Sequence, residues 1–182
     1  MNLDEIYATY QDLKLGGKNG TSKNFVPGDG PYPTKLMIIG EAPGAEEDRT
    51  GKPFQGPSGE LLNRFLGLAH VQREDVFVTN AFKYRPPQNR NPFPSELIAS
   101  LPCLSAEIKC VDPKVIILAG RIAVSSVFPG QTPRSLRGKG IEKGGRIFVC
   151  TYHPGAVLRK KRSTFYALVS GDFKLAAELS KS

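Results

Sequence analysis

Four short apolar runs, separated by segments with helical periodicity, constrain the fold of this chain more than any other feature. Runs of this length, bounded by glycine, proline and polar residues, predict strands that are buried on both faces. Their alternation with helices predicts a parallel-rich sheet between two helical layers. The expected fold class is therefore α/β, with three α/β/α layers and a central four-stranded parallel-rich sheet. The predicted strands are Lys35–Gly40, Val76–Thr79, Lys114–Ala119 and Arg146–Thr151.

Helices are expected wherever apolar residues recur at helical spacing. They are predicted at residues 3–15, Ser58–Ala69, Leu97–Lys109 with Ser95 as N-cap, Gly120–Val127 and Ser163–Leu179. The chain has 182 residues and no internal repeat, which predicts a single domain over residues 1–182. No apolar run approaches the roughly 18 residues of a bilayer span, and the acidic N-terminus does not resemble a signal peptide. We therefore expect a soluble, intracellular, cytoplasmic protein with no membrane partner.

The cysteine and histidine content excludes several kinds of site. Cys103, Cys110 and Cys150 are an odd number with no CxxC pair, which argues against a disulfide framework and a cysteine-rich zinc site. With His70 and His153 as the only histidines, no metal site is expected. The net charge of +8 is compatible with a nucleic-acid partner but does not specify one.

Three loops, after the first, second and fourth predicted strands, carry the informative residues. The carboxyl ends of parallel strands share one edge of the sheet, where ligands bind in such folds. The first loop is not a phosphate-binding P-loop, because Gly51-Lys52 is followed by Pro53. Taken singly, Glu41 suggests a solvated carboxylate, Asn80 a turn former and His153 a structural residue. Without the combined pattern, a nucleotide- or sugar-phosphate-binding α/β protein would be the preferred interpretation.

In combination, the loops closely resemble the uracil-DNA glycosylase superfamily, and most of all its family-four members. The similarity runs from about Leu36 to Arg159 and includes every motif in order. The motifs are Gly40-Glu41-Ala42-Pro43-Gly44 with Gly51-Lys52-Pro53-Phe54, then Thr79-Asn80 with Lys83-Tyr84-Arg85-Pro86-Pro87, and finally His153-Pro154.

The resemblance implies that two residues recognise the base. Phe54 would provide a stacking platform for a uracil that has left the helix. Asn80 would accept a hydrogen bond from uracil N3–H and donate one to O4. Cytosine presents the reverse pattern and would leave buried polar groups unpaired, at roughly 1–3 kcal/mol per group.

The resemblance also implies the residues that act on the bond. His153 would lie near O2, where negative charge develops as the base departs. Glu41 would orient water and stabilise the positive sugar. Backbone N–H groups of the Glu41–Gly44 turn, including Ala42 and Gly44, would add donors.

Further residues are implied to bind DNA. An apolar residue after the His-Pro turn, Leu158 or Val157, would wedge into the base stack that the flipped nucleotide leaves. The implied DNA-binding residues are Ser58, Arg85, Arg90, Leu158, Arg159, Lys160, Lys161 and Arg162.

The chain departs from the family-four pattern at the iron–sulfur cysteines. Tyr84 stands at the K-x-R-P-P position, Tyr10–Leu13 contains no cysteine, and only Cys103 remains. No cofactor is therefore expected, since a cluster needs its thiolates. The final motif also has Gly155 where serine is common, and Tyr84–Pro94 lacks the histidine through which a related subgroup traps DNA.

These observations predict a monofunctional, metal-independent enzyme that removes uracil from DNA, acting as a monomer associated with the nucleoid. The alternative is a weakly catalytic or non-catalytic binder of uracil-containing or abasic DNA. Retention of Glu41, Asn80 and His153 together favours the enzyme, because a binder needs no such set.

Overall fold

The computed structural model describes residues 1–160 and 163–181. Within these ranges one sheet has five strands: β1 (Leu36–Gly40), β2 (Val76–Asn80), β3 (Val115–Ala119), β4 (Gly140–Lys143) and β5 (Arg146–Thr151). Their order across the sheet is β2-β1-β3-β5-β4. All neighbouring pairs are parallel except β4 and β5, which are antiparallel. The expected three-layer α/β class is confirmed.

Eight α-helices connect and cover these strands in the described ranges. They are α1 (Leu3–Asp12), α2 (Ala45–Thr50), α3 (Gly56–Leu68), α4 (Pro94–Val111), α5 (Arg121–Val127), α6 (Pro133–Leu136), α7 (Pro154–Lys160) and α8 (Ser163–Lys181). Short 3₁₀ turns occupy Lys18–Gly20, Arg73–Asp75 and Pro87–Asn89. None of the helices in residues 1–160 and 163–181 combines the length and apolar content that a bilayer crossing requires.

The sheet separates two hydrophobic clusters because successive side chains of a strand point to opposite faces. Met37 and Ile39 of β1 pack in the cluster that includes α1 and α4. Leu36 and Ile38 pack in the other, with residues of α3 and α8. Every residue of β1, β2 and β3 is buried, which explains the continuous apolar sequences of β1 and β3 and the apolar first half of β2.

The prediction of four strands missed β4. This strand is short and polar, its residues are mostly exposed, and it adds to the edge of the sheet as a hairpin with β5. Gly144 and Gly145 form the turn with positive φ angles of 58° and 75°. Such a two-glycine connection is a known hairpin signal, whereas the strand itself has no apolar run to reveal it.

One predicted helix start was wrong, and one helix was missed. The helix expected from Leu97 with Ser95 as N-cap begins at Pro94 with Phe93 as N-cap, where Glu96 accepts a hydrogen bond from the Phe93 N–H at 2.6 Å. The first loop, expected to be irregular throughout, contains α2. Its short length and acidic sequence gave no apolar periodicity to detect.

Candidate active site

The informative residues meet at the carboxyl edge of the sheet. Glu41 directly follows β1, Asn80 is the last residue of β2, Gly120 directly follows β3, and His153 lies two residues beyond β5. These four strands are parallel neighbours in the order β2-β1-β3-β5, so their ends lie side by side. The topology therefore brings together residues that are far apart in the sequence.

Asn80 and Phe54 share one small space above Gly40. A side-chain carbon built on Gly40 would lie 2.4 Å from Asn80 Oδ1 and 2.6 Å from Phe54 Cζ. Only glycine fits at this position. The Asn80 side chain is 4% exposed, and no group in residues 1–160 and 163–181 hydrogen-bonds to its amide. Its donor and acceptor are thus available to a ligand that lies against the Phe54 ring.

Phe54 is held in an unusual backbone conformation. Its φ is +53°, in the left-handed region that non-glycine residues rarely adopt. Gly59 allows this close turn, since a side-chain carbon there would lie 1.8 Å from the Phe54 carbonyl oxygen. Strain of this kind persists only where the surroundings fix it, and it is concentrated at functional sites.

Glu41 is positioned by the loop that follows β3. Its Oε1 accepts a hydrogen bond from the Ile122 N–H at 3.1 Å, at the amino end of α5. Gly120 has a φ of +105°, and a side-chain carbon there would lie 2.5 Å from Glu41 Oε1. Sequence analysis missed both Gly120 and Ile122, because a Gly-Arg-Ile sequence after a strand has no motif of its own.

His153 is half-buried, and its hydrogen bonding fixes its tautomer. The Gly155 N–H donates to His153 Nδ1 at 3.0 Å, so the proton of a neutral ring is on Nε2. Burial lowers the pKa of His153. The nearby Glu41 carboxylate raises this pKa in part, and Arg159 lowers it further. The ring is therefore a neutral N–H donor at pH 7.

The Phe54 and His153 rings are near-parallel neighbours, with centroids 5.9 Å apart and an angle of 20° between planes. Glu41 and His153 together line a cleft of about 450 Å³. Phe54 thus neighbours both His153 and Asn80, and Glu41 shares the cleft with His153.

The turn after β1 offers fewer free donors than expected. The Gly44 N–H donates to Glu47 Oε2 at 3.0 Å, so Gly44 is not a free backbone donor. The Ala42 N–H has no acceptor among the described residues. Of the two predicted amides, only Ala42 remains available.

The region of the final motif is tightly packed. A side-chain carbon on Gly155 would lie 3.0 Å from Ser58 Oγ and 3.1 Å from His153 Nδ1. A serine at this position would require its neighbours to move by a few tenths of an ångström. Ser58, in the first turn of α3, therefore lies beside the imidazole.

The cleft also exposes arginines that sequence analysis did not single out as site residues. Arg121 at the start of α5 and Arg134 in α6 line it together with Arg159. All three are exposed. Arg121 is far from Arg134 and Arg159 in the sequence, and the fold brings it to the same cleft.

The two arginines of the loop after β2 differ in their surroundings. Arg90 donates to both carboxylate oxygens of Glu96 at 2.9 Å, and its guanidinium lies 3.7 Å from the Phe93 ring centroid. Its charge is neutralised within the protein, so Arg90 is better explained as a loop anchor than as a DNA contact. Arg85 bonds through Nε to Asn89 Oδ1 at 2.9 Å and remains partly exposed.

The helix after the His-Pro turn distinguishes the two candidate wedges. Leu158 is 39% exposed, whereas Val157 is 6% exposed and packs in the core. Leu158 is therefore the available residue. Arg159 and Lys160 are exposed at the end of α7, and Lys160 Nζ lies 4.2 Å from the Phe165 ring centroid. Lys161 and Arg162, also predicted to bind DNA, lie outside the described residues.

The positions of the family-four cysteines are filled by packed side chains. Tyr10 and Tyr84 are 1% and 3% exposed, and their rings stack at 6.0 Å. Cys103 lines the adjacent apolar cavity with Leu13, and burial raises the pKa of its thiol to about 11. Residues 1–160 and 163–181 contain no group of three metal-ligating side chains. These residues do not fit an iron–sulfur cluster, which requires several thiolates.

The chain is similar to known proteins along most of its length. The family model described as the uracil DNA glycosylase superfamily matches residues 27–174. A type-4 uracil-DNA glycosylase of Pyrobaculum aerophilum is 44% identical over 169 residues, 88% of this chain and 86% of that protein. The Thermotoga maritima type-4 enzyme is 37% identical over 161 residues, 87% and 84% of the two chains. The Archaeoglobus fulgidus type-4 enzyme is 34% identical over 187 residues, 98% and 93%. This chain belongs to the uracil-DNA glycosylase superfamily.

Proposed function

We propose that this protein hydrolyses the bond between uracil and deoxyribose in DNA, releasing uracil and leaving an abasic site. The observation that carries the proposal is the series of contacts that links the four residues: Glu41 and His153 line one cleft, the Phe54 ring lies beside His153, and Asn80 lies beside Phe54. A carboxylate, an amide, an imidazole and a phenyl ring are the groups that this reaction needs around one pyrimidine.

The base is recognised by Phe54 and Asn80. Uracil extruded from the helix stacks on Phe54, which returns about 1–3 kcal/mol of the flipping energy. The unpartnered Asn80 amide accepts from N3–H and donates to O4. Cytosine has an acceptor at N3 and a donor at its exocyclic amine, so it leaves the same amide unsatisfied.

Bond breaking is assisted by His153 and Glu41. As the bond to C1′ lengthens, the sugar becomes positive and the base negative. The Nε2–H of neutral His153 donates to O2, and this hydrogen bond strengthens as the anion forms, so it lowers the barrier. The Glu41 carboxylate, held by the Ile122 N–H, opposes the sugar charge and orients the attacking water.

A lyase reaction through a lysine is not expected. Lys83, close to the site in sequence, is 1% exposed and paired with Glu107 at 2.7 Å. A buried, ion-paired ammonium is not a free nucleophile. The enzyme is therefore proposed to be monofunctional, and its product is an intact strand with an abasic site.

A uracil-containing oligonucleotide, incubated with the protein and then heated in alkali, tests the reaction against the binding alternative. Strand scission at the uracil after alkali, with no scission before it, supports a monofunctional glycosylase. A mobility shift without alkali-labile sites would instead identify a binder.

The DNA strand is proposed to lie along the cleft. The protein is proposed to act as a monomer and to associate with the nucleoid. Arg121, Arg134 and Arg159 line the cleft and provide charges for the phosphates that flank the flipped nucleotide. Leu158 is proposed to fill the gap in the base stack. Light scattering with and without DNA tests the monomeric state.

The protein is also proposed to work without an iron–sulfur cluster. The stacked Tyr10 and Tyr84 rings and the protonated Cys103 thiol support this, because they leave no set of thiolates. Iron analysis of protein purified without oxygen is expected to give no stoichiometric iron. Stoichiometric iron that is lost in Cys103→Ser would contradict it.

A further inference from the structure

Two strands that carry site residues are tied near their carboxyl ends to buried carboxylates. Thr79, next to Asn80 in β2, donates from Oγ1 to Glu107 of α4, at 3.1 and 3.2 Å from the two carboxylate oxygens. Thr151, the last residue of β5, donates to Asp172 Oδ2 of α8 at 2.7 Å. The helices lie on opposite faces of the sheet, so the two connections are separate.

Each carboxylate is paired with a cation from a loop. Lys83 Nζ lies 2.7 Å from Glu107 Oε2 and also donates to Thr79 Oγ1. Arg137 donates to Asp172 through Nε at 3.1 Å and through its terminal nitrogen at 3.0 Å. Thr79, Glu107, Thr151 and Asp172 are at most 1% exposed.

Stability alone does not explain these groups. Two charges removed from water lose solvation energy, and their mutual attraction often does not offset this loss. Replacing such a pair with apolar side chains of similar volume often leaves a protein equally or more stable. What a fully bonded buried network does provide is a fixed geometry, because each member has few alternative partners.

The first network encloses Asn80. Thr79 and Lys83, on either side of it in sequence, are both bonded to Glu107, so the intervening turn is held at two points. Ser100 adds a third tie, since its hydroxyl donates to the Ala81 carbonyl at 2.9 Å. The Asn80 amide itself has no partner in the described chain, and its direction is set by this backbone.

The second network holds the base of the His153 turn. Thr151 lies two residues before His153, and Asp172 links it to Arg137. Arg137 directly follows α6, which contributes Pro133 and Arg134 to the cleft. Asp172 thus connects the strand end that carries the imidazole with one wall of the cleft.

We propose that Thr79–Glu107–Lys83 and Thr151–Asp172–Arg137 are positioning networks, the first for base recognition by Asn80 and the second for the imidazole of His153. The inference rests on the proposed function. It assigns separate kinetic roles to two threonines that touch neither the substrate nor each other.

The two roles have different kinetic signatures. Asn80 contacts uracil both in the bound complex and in the transition state, so loosening it weakens binding and raises KM. The His153 hydrogen bond strengthens only as the base departs, so a displaced imidazole lowers kcat and leaves KM unchanged. Displacements of about 1 Å change rates by up to roughly a hundredfold.

Thr79→Val and Thr151→Val test the proposal, because valine keeps the branched shape and removes only the hydroxyl. Thr79→Val is expected to raise KM for uracil-containing DNA, and the inhibition constant of free uracil, by roughly fivefold or more with kcat nearly unchanged. Thr151→Val is expected to lower kcat by roughly tenfold with KM unchanged. Thr79→Ser and Thr151→Ser restore the hydroxyl and should recover most of each loss.

Thr34→Val is the matched control. Thr34 Oγ1 bonds to the Asp75 carbonyl at 2.8 Å, just before β1 and at the opposite edge of the sheet from the site. It reports the effect on Tm of losing one threonine hydroxyl bond, and both kinetic constants should stay at wild-type values.

The positioning roles alone would be overturned if the wild-type protein is active and both valine variants change Tm but neither kcat nor KM. They would also be overturned if each valine variant loses activity only in proportion to the fraction of protein that is unfolded. Wild-type protein and Thr34→Val that both release no uracil would instead overturn the proposed function.

Discussion

At the scale of single residues, two groups of the site accept hydrogen bonds from backbone N–H groups. The imidazole of His153 has one nitrogen occupied by the Gly155 N–H, and Glu41 is held by the Ile122 N–H. Both residues line the cleft.

The neutral state of His153 sets the pH dependence. Burial lowers its pKa below the ordinary 6.5, so the ring stays neutral as the pH falls to that value and protonates only below it. Single-turnover excision is expected to hold its plateau down to pH 6.5 and to decline at lower pH, if imidazolium is the inactive form. His153→Gln should excise uracil more slowly. Its rate should also decline less at low pH, because glutamine has no imidazole to protonate. A rate that rises on acidification would show that imidazolium is the active form.

Gly120 is expected to be essential for the position of Glu41. Gly120→Ala places a methyl carbon 2.5 Å from Glu41 Oε1 and should lower kcat by roughly 10- to 100-fold. Gly130→Ala is the control, because Gly130 also has a positive φ, +77°, but nothing lies within 4 Å of the added carbon. Both variants also bear backbone strain of roughly 1–3 kcal/mol, and more of it is expected at Gly120, whose φ of 105° and ψ of 171° lie in a region that only glycine adopts readily. Thermal unfolding measures this strain, and kcat is compared for the folded fraction. Equal kcat values for the two would contradict the role of Gly120.

At the scale of elements, the helix α7 presents one apolar side chain to the solvent beside the cleft. Leu158→Ala is expected to slow excision from duplex DNA by roughly tenfold, because an apolar wedge offsets part of the unstacking energy. Excision from single-stranded DNA, which needs no wedge, should be nearly unchanged.

Leu68→Ala provides the control for Leu158, since Leu68 is 41% exposed at the far end of α3. It should affect neither substrate. A Leu158→Ala variant that slows both substrates equally would indicate a packing role in place of a wedge.

The elements also show what the sequence could and could not predict. Continuous apolar residues predict buried strands such as β1 and β3, and helical periodicity predicts α3 and α8. β4 is polar and depends on pairing with β5, so only the Gly144-Gly145 turn marked it. The residues of the three motifs were identified through their combined pattern, whereas Gly120 and Arg121 join the site through the order of strands, which local sequence does not reveal.

At the scale of the whole molecule, the chain has a net charge of +8, and part of its positive charge lies at the site. Arg121, Arg134 and Arg159 line the cleft with Glu41 and His153. Each Arg→Gln change is expected to reduce the slope of log affinity against log salt by about 0.9, the value for one phosphate contact on duplex DNA.

The control for the salt dependence is Lys114→Gln, which removes one charge just before β3 at the opposite edge of the sheet. Its slope should equal that of the wild type in fluorescence anisotropy titrations. Slopes that fall equally for all four variants would mean that the net charge, and not the cleft, determines binding.

The central claim is that four side chains surround one extruded uracil. Phe54 and Asn80 recognise the base, and Glu41 and His153 assist in breaking its bond. Steady-state release of free base from oligonucleotides containing uracil, cytosine, thymine or hypoxanthine tests it most directly, with wild-type protein and Glu41→Ala, Asn80→Ala and His153→Ala. Uracil should be released, with kcat lowered by roughly 100-fold or more in Glu41→Ala and His153→Ala, and discrimination against cytosine weakened in Asn80→Ala. Losses confined to binding in all three variants, with kcat unchanged, would contradict it.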